Sequence, residues 1–380
     1  MPFYHRRLLV VIVTCTLVTC WGLSSTDVNL SSPTIPKGSR VAVVAGGSRG
    51  IGRGIALELG AAGYTVYALG RTSKKARRPP KGQRAVASGL DLTVESAAEQ
   101  VTASGGIGHA LACDLRKDAS LEKALETVYE AEGRLDILVY SANSTPPNGE
   151  SLRGEFWTQS MDMWDAVNGL GLRQVYAACR IAAPKMIETA KKNADEDAPP
   201  PLICLVSSFG GKSYTFNVAY GVGKAGVDRL ASDMSYQLKK YGVATTSLYP
   251  GLVKTEANLH MVEEGTWDAA SGGLDLSKGE TPLFSGRAVV KLAALHKEAM
   301  MKKTGTVQVV AELAEELGFT DIDGTIPPSI RSLRYLLPNF VFPQIEEEAG
   351  KPVPDWMKDN VPDFKIPWSI FSSAPAPEQD

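Results

Sequence analysis

The sequence predicts a single doubly wound α/β domain with about seven parallel strands, and two patterns lead to that fold class. First, short apolar runs alternate with longer helical patterns between residues 39 and 320, which is typical of a parallel sheet covered by helices. Second, the first apolar run, residues 41–45, passes through a glycine-rich turn into a helical pattern. The chain has 380 residues, 44% of them hydrophobic, and is long enough for such a domain, since α/β domains of about 250 residues are ordinary.

Charge and cysteine content narrow the class of protein. A net charge of −2 predicts no broad surface for nucleic acid or another polyanion. The five cysteines show no metal-ligand spacing, so no metal site is expected. Cys113, Cys179 and Cys204 fall in patterns typical of small core residues.

Residues 1–25 are predicted to be a targeting segment rather than part of the fold. Arg6 and Arg7 precede an uncharged run over residues 8–23, which is short for a membrane-spanning helix and typical of the apolar core of a signal peptide. A signal anchor, attached to the membrane, is the alternative. Residues 26–38 are predicted to be a linker, and we expect entry into the secretory pathway, to the endoplasmic reticulum or an organelle reached through it.

The remaining elements follow from local patterns. The predicted strands are short apolar runs bounded by glycine, proline or polar turns, and they cover residues 41–45, 64–69, 108–112, 135–140, 202–206, 243–249 and 306–310. The predicted helices cover residues 51–62, 94–104, 121–132, most of 155–192, 220–241 and 286–296.

Three segments are predicted to lie outside this alternation. Residues 72–93 begin with lysine, arginine and proline in a composition that cannot form a core, so they are predicted to be an exposed basic insertion. Residues 257–283 are rich in glycine and charge and are predicted to be a mobile lid over the substrate. The C-terminal extension, residues 321–380, holds too many prolines for one long helix. Its aromatic residues are expected to pack on the domain, and a cover for the substrate cleft or a membrane contact is the alternative.

The glycine-rich turn predicts an anion site. Gly46, Gly50 and Gly52 follow the first strand, and glycine lets a backbone approach a pyrophosphate closely. The free N–H groups at the N-terminus of the next helix stabilise the negative charge. A glycine-rich turn without a ligand is the alternative for this motif taken alone.

The end of the second strand predicts which dinucleotide binds. It reads Gly70-Arg71, where an NAD enzyme of this fold has an acidic residue for the ribose 2′-hydroxyl. Arg71 and Arg49 are therefore predicted to hold a 2′-phosphate, which favours NADP over NAD. Two solvated surface arginines are the alternative.

Three side chains predict proton transfer to a carbonyl. Tyr220 and Lys224 are four residues apart on a predicted helix, so they share a face, and a nearby ammonium lowers the pKa of a phenol. Ser208 precedes Tyr220 by twelve residues and ends a buried strand, where its hydroxyl can bind a substrate carbonyl oxygen. Ser207 is the alternative for that role, and either serine could instead cap the strand end.

These motifs, in this order and at these distances, resemble the short-chain dehydrogenase/reductase family over residues 40–312. The resemblance implies a Rossmann domain in which Asp114 binds the adenine edge, with a helix cap as the alternative. It also implies that Asn168 holds a water leading protons to the lysine, with a structural kink as the alternative. The implied cofactor-binding residues are Gly46, Ser48, Arg49, Gly50, Ile51, Gly52, Arg71, Asp114, Ala142, Tyr220, Lys224, Pro250, Gly251, Val253 and Thr255. The implied catalytic residues are Asn168, Ser208, Tyr220 and Lys224.

The family pattern also sets the expected reaction. It implies an NADP(H)-dependent enzyme that reduces a small ketone or aldehyde, or oxidises the alcohol, and relatives often form homo-oligomers through their long helices. One residue and one four-residue segment depart from the pattern. Ala45 stands where the family has threonine, and residues 140–143 read Tyr-Ser-Ala-Asn where it has Asn-Asn-Ala-Gly. A catalytically silent NADP(H)-binding module with a regulatory or interaction role is therefore the alternative.

Overall fold

The computed structural model describes residues 37–75, 90–146, 150–193, 195 and 197–371. The predicted targeting segment, most of the predicted linker, residues 76–89 of the basic insertion and residues 372–380 of the extension lie outside the described residues. The chain divides into two compact units, which over the described residues comprise 37–327 with 371, and 328–370.

One parallel sheet organises the larger unit. Across the described residues its seven strands are β1 (Val41–Ala45), β2 (Thr65–Gly70), β3 (Ile107–Ala112), β4 (Ile137–Tyr140), β5 (Leu202–Val206), β6 (Ala244–Tyr249) and β7 (Thr306–Val309). Their order is β3-β2-β1-β4-β5-β6-β7, and every neighbouring pair is parallel. The strand order changes direction between β1 and β4, so the predicted doubly wound, Rossmann-like fold is confirmed.

Helices cover both faces of this sheet. They are α1 (Gly50–Ala61), α2 (Val94–Ala103), α3 (Asp118–Glu132), α4 (Met161–Asn168), α5 (Gln174–Lys192), α6 (Val218–Leu238), α7 (Glu256–Glu263), α8 (Trp267–Ser271), α9 (Pro282–Ala294), α10 (Lys297–Lys303) and α11 (Val310–Leu317). Successive strand residues point to opposite faces. Val44 of β1 therefore packs in one core cluster with Ile55 and Phe284, while Val43 packs in the other with Leu125. Burial on both faces explains why the strands are nearly continuous apolar runs.

The region predicted as mostly one long helix, residues 155–192, is divided in the structure. α4 ends at Asn168, a π-helical turn covers Gly169–Arg173, and α5 begins at Gln174. Residues 155–160 form turns and bends, so the predicted helical start at residue 155 was wrong. Glycine disfavours a regular helix, and two glycines lie in the π-helical turn, which explains the break next to Asn168.

The predicted lid contains short regular elements. α7, α8 and a 3₁₀ turn at Leu276–Lys278 fall within or next to residues 257–283. α9 then begins with Pro282, a residue suited to the first helical turn. At this point α9 lies directly against α1. A Cβ added at Gly54 would collide with the carbonyl oxygen of Pro282, and one at Gly286 would lie 2.6 Å from the carbonyl oxygen of Gly54.

The smaller unit consists of short helices and turns. It contains α12 (Leu333–Leu336), a π-helical turn (Leu337–Val341), α13 (Phe342–Ala349), α14 (Asp355–Asp359) and most of α15 (Trp368–Phe371). Leu333 N donates to the carbonyl of Phe364 and Ile366 N to that of Arg331, both at 2.9 Å. In the described part of the extension the prolines leave no long helix, as expected. None of the helices that the structure describes has the length and apolar character needed to cross a membrane.

Candidate active site

The glycine turn after β1 is shaped by close backbone contacts. Gly46 and Gly50 have φ angles of 88° and 54°, in the left-handed region that glycine adopts without strain. A Cβ added at Gly52 would collide with the carbonyl oxygen of Gly46, and one at Gly46 would lie 2.8 Å from the amide nitrogen of Ala142. These contacts bring the ends of β1 and β4 together at the N-terminus of α1, which is the geometry of an anion site.

The N-terminus of α1 also contacts an acidic side chain that the sequence analysis gave no role. The N–H of Gly50 donates to Oε2 of Glu256, with the two atoms 2.8 Å apart. Ser48 is buried in the turn, and Arg49 and Ile51, which flank Gly50 in the sequence, are half-buried. The only indication of Glu256 in the sequence is that it directly follows Thr255, one of the implied cofactor-binding residues.

Arg49 and Arg71 lie close enough to influence each other, as a shared 2′-phosphate site requires. Burial lowers the pKa of the Arg49 guanidinium, and the charge of Arg71 lowers it further. Burial likewise lowers the pKa of Arg71. Nη2 of Arg49 donates to Oγ1 of Thr72 at 3.0 Å. Two partly buried cations placed together favour an anion between them.

The carboxylate of Asp114 bonds to an arginine and does not cap the following helix. Its carboxylate accepts hydrogen bonds from Nε and Nη2 of Arg116, both at 3.0 Å. Burial raises the pKa of Asp114, but the bonds from Arg116 outweigh burial, so the pKa lies below its ordinary value. The N-cap residue of α3 is Lys117, so the helix-cap alternative was wrong. Arg116, which the sequence analysis missed, places a third positive charge near Arg71.

The segment after β6 is bound to a second acidic residue. Pro250 is buried, and a Cβ added at Gly251 would lie 2.9 Å from Oε2 of Glu280. Val253 pairs with Glu280 in a short parallel bridge. Oγ1 of Thr255 accepts from the N–H of Asn258 at 3.2 Å and so caps α7.

Glu280 itself lies almost entirely inside the protein, at 1% exposure. Burial raises the pKa of its carboxyl to about 8, against the opposing hydrogen bonds from the backbone of Gly251 and the side chain of Ser285. A carboxyl in this position changes charge near neutral pH, unlike one in water.

The two serines after β5 have different partners. The Ser207 hydroxyl is buried and donates to the carbonyl oxygen of Lys224 at 3.2 Å. The Ser208 hydroxyl accepts from the N–H of Gly210 at 3.1 Å and lies close enough to the Tyr220 phenol to lower its pKa. Ser208 rather than Ser207 therefore lies at Tyr220, and its role in catalysis stays a prediction.

The structure brings Tyr220 and Lys224 to one face of α6. The helix is capped by Asn217, whose Oδ1 accepts from the N–H of Tyr220 at 2.8 Å. Nζ of Lys224 lies 5.7 Å from the centroid of the Tyr220 ring and donates to the carbonyl oxygen of Val206 at 3.2 Å.

The pKa values at this pair depart from the expectation. Burial raises the pKa of Tyr220, and the nearby Ser208 hydroxyl opposes that shift. Burial also lowers the pKa of Lys224 to about 8, while the charge of Asp228 opposes that shift. The prediction that the Lys224 ammonium lowers the pKa of the Tyr220 phenol was therefore wrong, because burial raises that pKa above its ordinary value.

Asn168 packs against the same helix. It is 5% exposed, and its Nδ2 donates to the carbonyl oxygen of Ala219 at 3.1 Å. A Cβ added at Gly223 would collide with Asn168 Oδ1, so this amide contacts α6 at the residue next to Lys224. Within the part of the chain that the structure describes, that buried Oδ1 has no hydrogen-bond partner. Such an oxygen suits a bound water, which fits the expected water relay.

Asp228 is a further buried acid that the sequence analysis missed. Its carboxylate accepts from the hydroxyl of Ser247 at 2.6 Å and from that of Tyr249. Burial raises its pKa, and its charge acts on Lys224 one helical turn away. The spacing of four residues from Lys224 is the signal that could have identified it.

Sheet topology explains why these groups meet. β1, β4, β5 and β6 are consecutive neighbours, and the glycine turn, Ala142, Ser208 and Gly251 each follow the carboxyl end of one of them. In a parallel sheet these ends lie on one edge, where doubly wound folds bind dinucleotides. The fold and site thus define a Rossmann-type nucleotide-binding protein with a phenol, a hydroxyl and an amine at the binding edge.

Comparison with known proteins gives the family. The sequence model of the short chain dehydrogenase family matches residues 40–104 and 81–265. The chain is 36% identical over 312 residues to dehydrogenase/reductase SDR family member 1 of Mus musculus, which covers 80% of this chain and 89% of that protein. The Homo sapiens protein of the same name is 36% identical over 295 residues, covering 76% and 85%. This chain belongs to the short-chain dehydrogenase/reductase family and is an oxidoreductase whose fold binds a nicotinamide cofactor.

Solved structures show the same fold. A metagenomic short-chain oxidoreductase in complex with NADP superimposes with a TM-score of 0.51 and 23% identity, covering 72% of this chain and 96% of that one. A short chain dehydrogenase from Mycobacterium paratuberculosis bound to NAD gives 0.56 and 22%, covering 72% and 96%. The neighbours thus include complexes with both dinucleotides.

Proposed function

We propose that this chain is an NADP(H)-dependent reductase that converts a ketone or aldehyde to an alcohol, or catalyses the reverse reaction. The observation that carries the proposal is that Ser208, Tyr220, Lys224 and Asn168 meet at the edge of the sheet where the glycine turn lies. A phenol can serve as an acid there only if its hydrogen-bond partners and a cation are nearby, and this site contains both.

The arginines support NADP as the cofactor. β2 ends in Gly70 without a carboxylate for the ribose 2′-hydroxyl, and Arg71 follows it. Arg49 lies beside Arg71, and burial holds the pKa of both below the ordinary value. A dianionic phosphate between the two guanidinium groups would relieve their mutual repulsion.

Each catalytic side chain has a distinct role in this proposal. A bound nicotinamide would supply the hydride that reaches the carbonyl carbon. Tyr220 donates its proton to the carbonyl oxygen, and Ser208 holds that oxygen by a hydrogen bond. Lys224 in its ammonium form stabilises the resulting phenolate. The free Oδ1 of Asn168 orients a water that returns a proton to the site.

The proposal is tested with purified protein, NADPH and NADH side by side, and a panel of ketones and aldehydes. Tyr220→Phe removes the proton donor, so turnover should fall by about 10²–10⁴-fold while NADPH binding stays the same. Tyr236→Phe is the matched control, because Tyr236 lies on the same helix but is 84% exposed. That variant should keep the wild-type rate.

Three results would change the proposal. NADPH binding without turnover of any panel member would favour the silent module. Faster turnover with NADH than with NADPH would overturn the cofactor preference. A wild-type rate in Tyr220→Phe would remove Tyr220 from the chemistry.

A further inference from the structure

The hydrogen bond between Gly50 and Glu256 places a carboxylate where the proposed function requires a phosphate. The Gly50 N–H opens α1, and a free N–H at the start of a helix is the donor that binds a pyrophosphate. Here that donor is directed at Oε2 of Glu256, at 2.8 Å. The contact joins residues that are 206 positions apart, so it depends on the tertiary fold.

Glu256 is held in this position by its own helix. It is the first residue of α7, and Thr255 before it caps the helix by accepting from Asn258 N. Nδ2 of Asn258 donates to the carbonyl oxygen of Val253 at 2.8 Å, which ties the helix start to the segment after β6. The Glu256 carboxylate thus links the first helix of the predicted lid to the glycine turn.

The charge of Glu256 also acts on the arginines of the turn. Burial lowers the pKa of Arg49, and Glu256 is the largest opposing influence. The same order of effects holds for Arg53, whose guanidinium donates to the carbonyl oxygen of Ser48 at 3.1 Å. Glu256 therefore offsets part of the positive charge that would attract a dinucleotide.

We infer that Glu256 is a built-in competitor for the phosphate of the cofactor and so determines how tightly this chain binds it. The inference rests on the proposed function. A bound pyrophosphate would use the Gly50 N–H, and two anions do not share one donor at this distance without repulsion. The cofactor therefore binds the form in which Glu256 has left the turn, and its apparent affinity is reduced by the fraction of molecules in that form.

The test measures the Kd of NADPH for the full chain and for Glu256→Gln. The amide keeps the size of the side chain but removes its charge, so NADPH should bind more tightly. The expected gain is about tenfold if the form with Glu256 bound at the turn is about ten times as populated as the released form. Glu256→Ala should change the Kd in the same direction. Glu263→Gln is the matched control, because it removes the same charge from the same helix at a side chain that is 63% exposed.

Salt separates this role from a structural one. The ratio of wild-type to Glu256→Gln Kd should shrink as the ionic strength is raised, since screening weakens the repulsion between carboxylate and phosphate. Misfolding would not produce tighter binding, so the expected gain is diagnostic.

The outcomes separate this inference from the proposed function. Wild-type protein that binds NADPH with the same Kd as Glu256→Gln, or more tightly, overturns the inference and leaves the proposed function standing. Failure of wild type and both Glu256 variants to bind NADPH or NADH overturns the proposed function, and the inference with it.

Discussion

The two ends of the sheet hold buried charges in different ways. At the amino end, Asp136 directly precedes β4 and is fully buried. Its carboxylate accepts from Nε and Nη2 of Arg134 at 2.8 and 2.7 Å. It also accepts from Nε of Arg40 and from the N–H of Val41. At the carboxyl end, Lys224 and Glu280 are given neutral hydrogen-bond partners, and burial moves the pKa of each to about 8. The amino end pairs its buried carboxylate with arginines, whereas the buried groups at the carboxyl end have pKa values near neutral pH.

This difference indicates that burial of ionisable groups costs stability at the carboxyl end of the sheet. Removing one member of a buried, hydrogen-bonded ion pair is costly because the other charge is left without its partner, so the amino end is expected to be sensitive to substitution. Ionisable groups with shifted pKa values are typical of functional sites, because the same burial that costs stability makes them reactive.

The largest expected effect is at the amino end. Asp136→Ala leaves Arg40 and Arg134 without their carboxylate, so the free energy of unfolding should fall by about 3–5 kcal/mol. Urea denaturation measures this change. Asp233→Ala breaks the exposed pair with Arg229, and we expect it to change stability little. Equal losses in the two variants, or a changed kcat in folded Asp136→Ala, would contradict the division between the ends.

A smaller, pH-dependent effect is expected at Glu280. Its folded-state pKa of about 8 lies above the ordinary value of 4.5, so the folded protein holds a proton that the unfolded chain releases between these pH values. Stability from this group is therefore lost as the pH rises toward 8. Glu280→Gln should gain on the order of 2 kcal/mol relative to wild type between pH 6 and pH 9.

Urea midpoints of both proteins at the two pH values provide the measurement for Glu280. Glu263→Gln, an exposed change of the same kind, serves as the reference. Parallel pH dependence of wild type and Glu280→Gln would contradict this prediction, because it would show that Glu280 is already ionised in the folded protein at pH 6.

The third expected effect concerns Lys224 and activity. Its folded-state pKa of about 8 lies below the ordinary 10.5, so the ammonium is present below pH 8 and lost above it. The value of kcat/KM for NADPH should therefore fall by about tenfold per pH unit above this pKa. A pH profile from 6 to 10 measures this break. Because Glu280 titrates nearby in pH, Glu280→Gln is the control, and a break that disappears in that variant would assign it to Glu280 instead.

Local patterns were enough to predict much of the fold. β1 and β5 begin and end at the predicted residues, because each is a buried apolar run that stops at a glycine or serine. The break after Asn168 was only partly predicted. A structural kink was the alternative for Asn168, but Gly169 and Gly171, which explain the π-helical turn, were not used to divide the predicted helix. α11 was missed because it follows β7 at once, with no turn residue between them.

The candidate site shows the same limit. Gly46, Tyr220 and Lys224 belong to short motifs and could be predicted from spacing. Glu256 and Glu280 could not, because their roles depend on contacts with Gly50 and Gly251 that only the folded chain makes. The predicted direction of the shift in the Tyr220 pKa was also wrong. Burial raises that pKa, and the extent of burial cannot be derived from sequence spacing. The targeting segment stays a prediction.

The glycine contact between α1 and α9 limits how the predicted lid can move. At Gly54 and Gly286 the backbones of the two helices touch without intervening side chains. The N-terminal part of α9 is therefore not expected to slide or rotate independently of α1 and the glycine turn that precedes it. Any opening must be absorbed by hinges earlier in the segment, where Gly265, Gly272 and Gly273 have left-handed φ angles. If the predicted lid opens, the entrance would therefore widen from the side of α7 and α8.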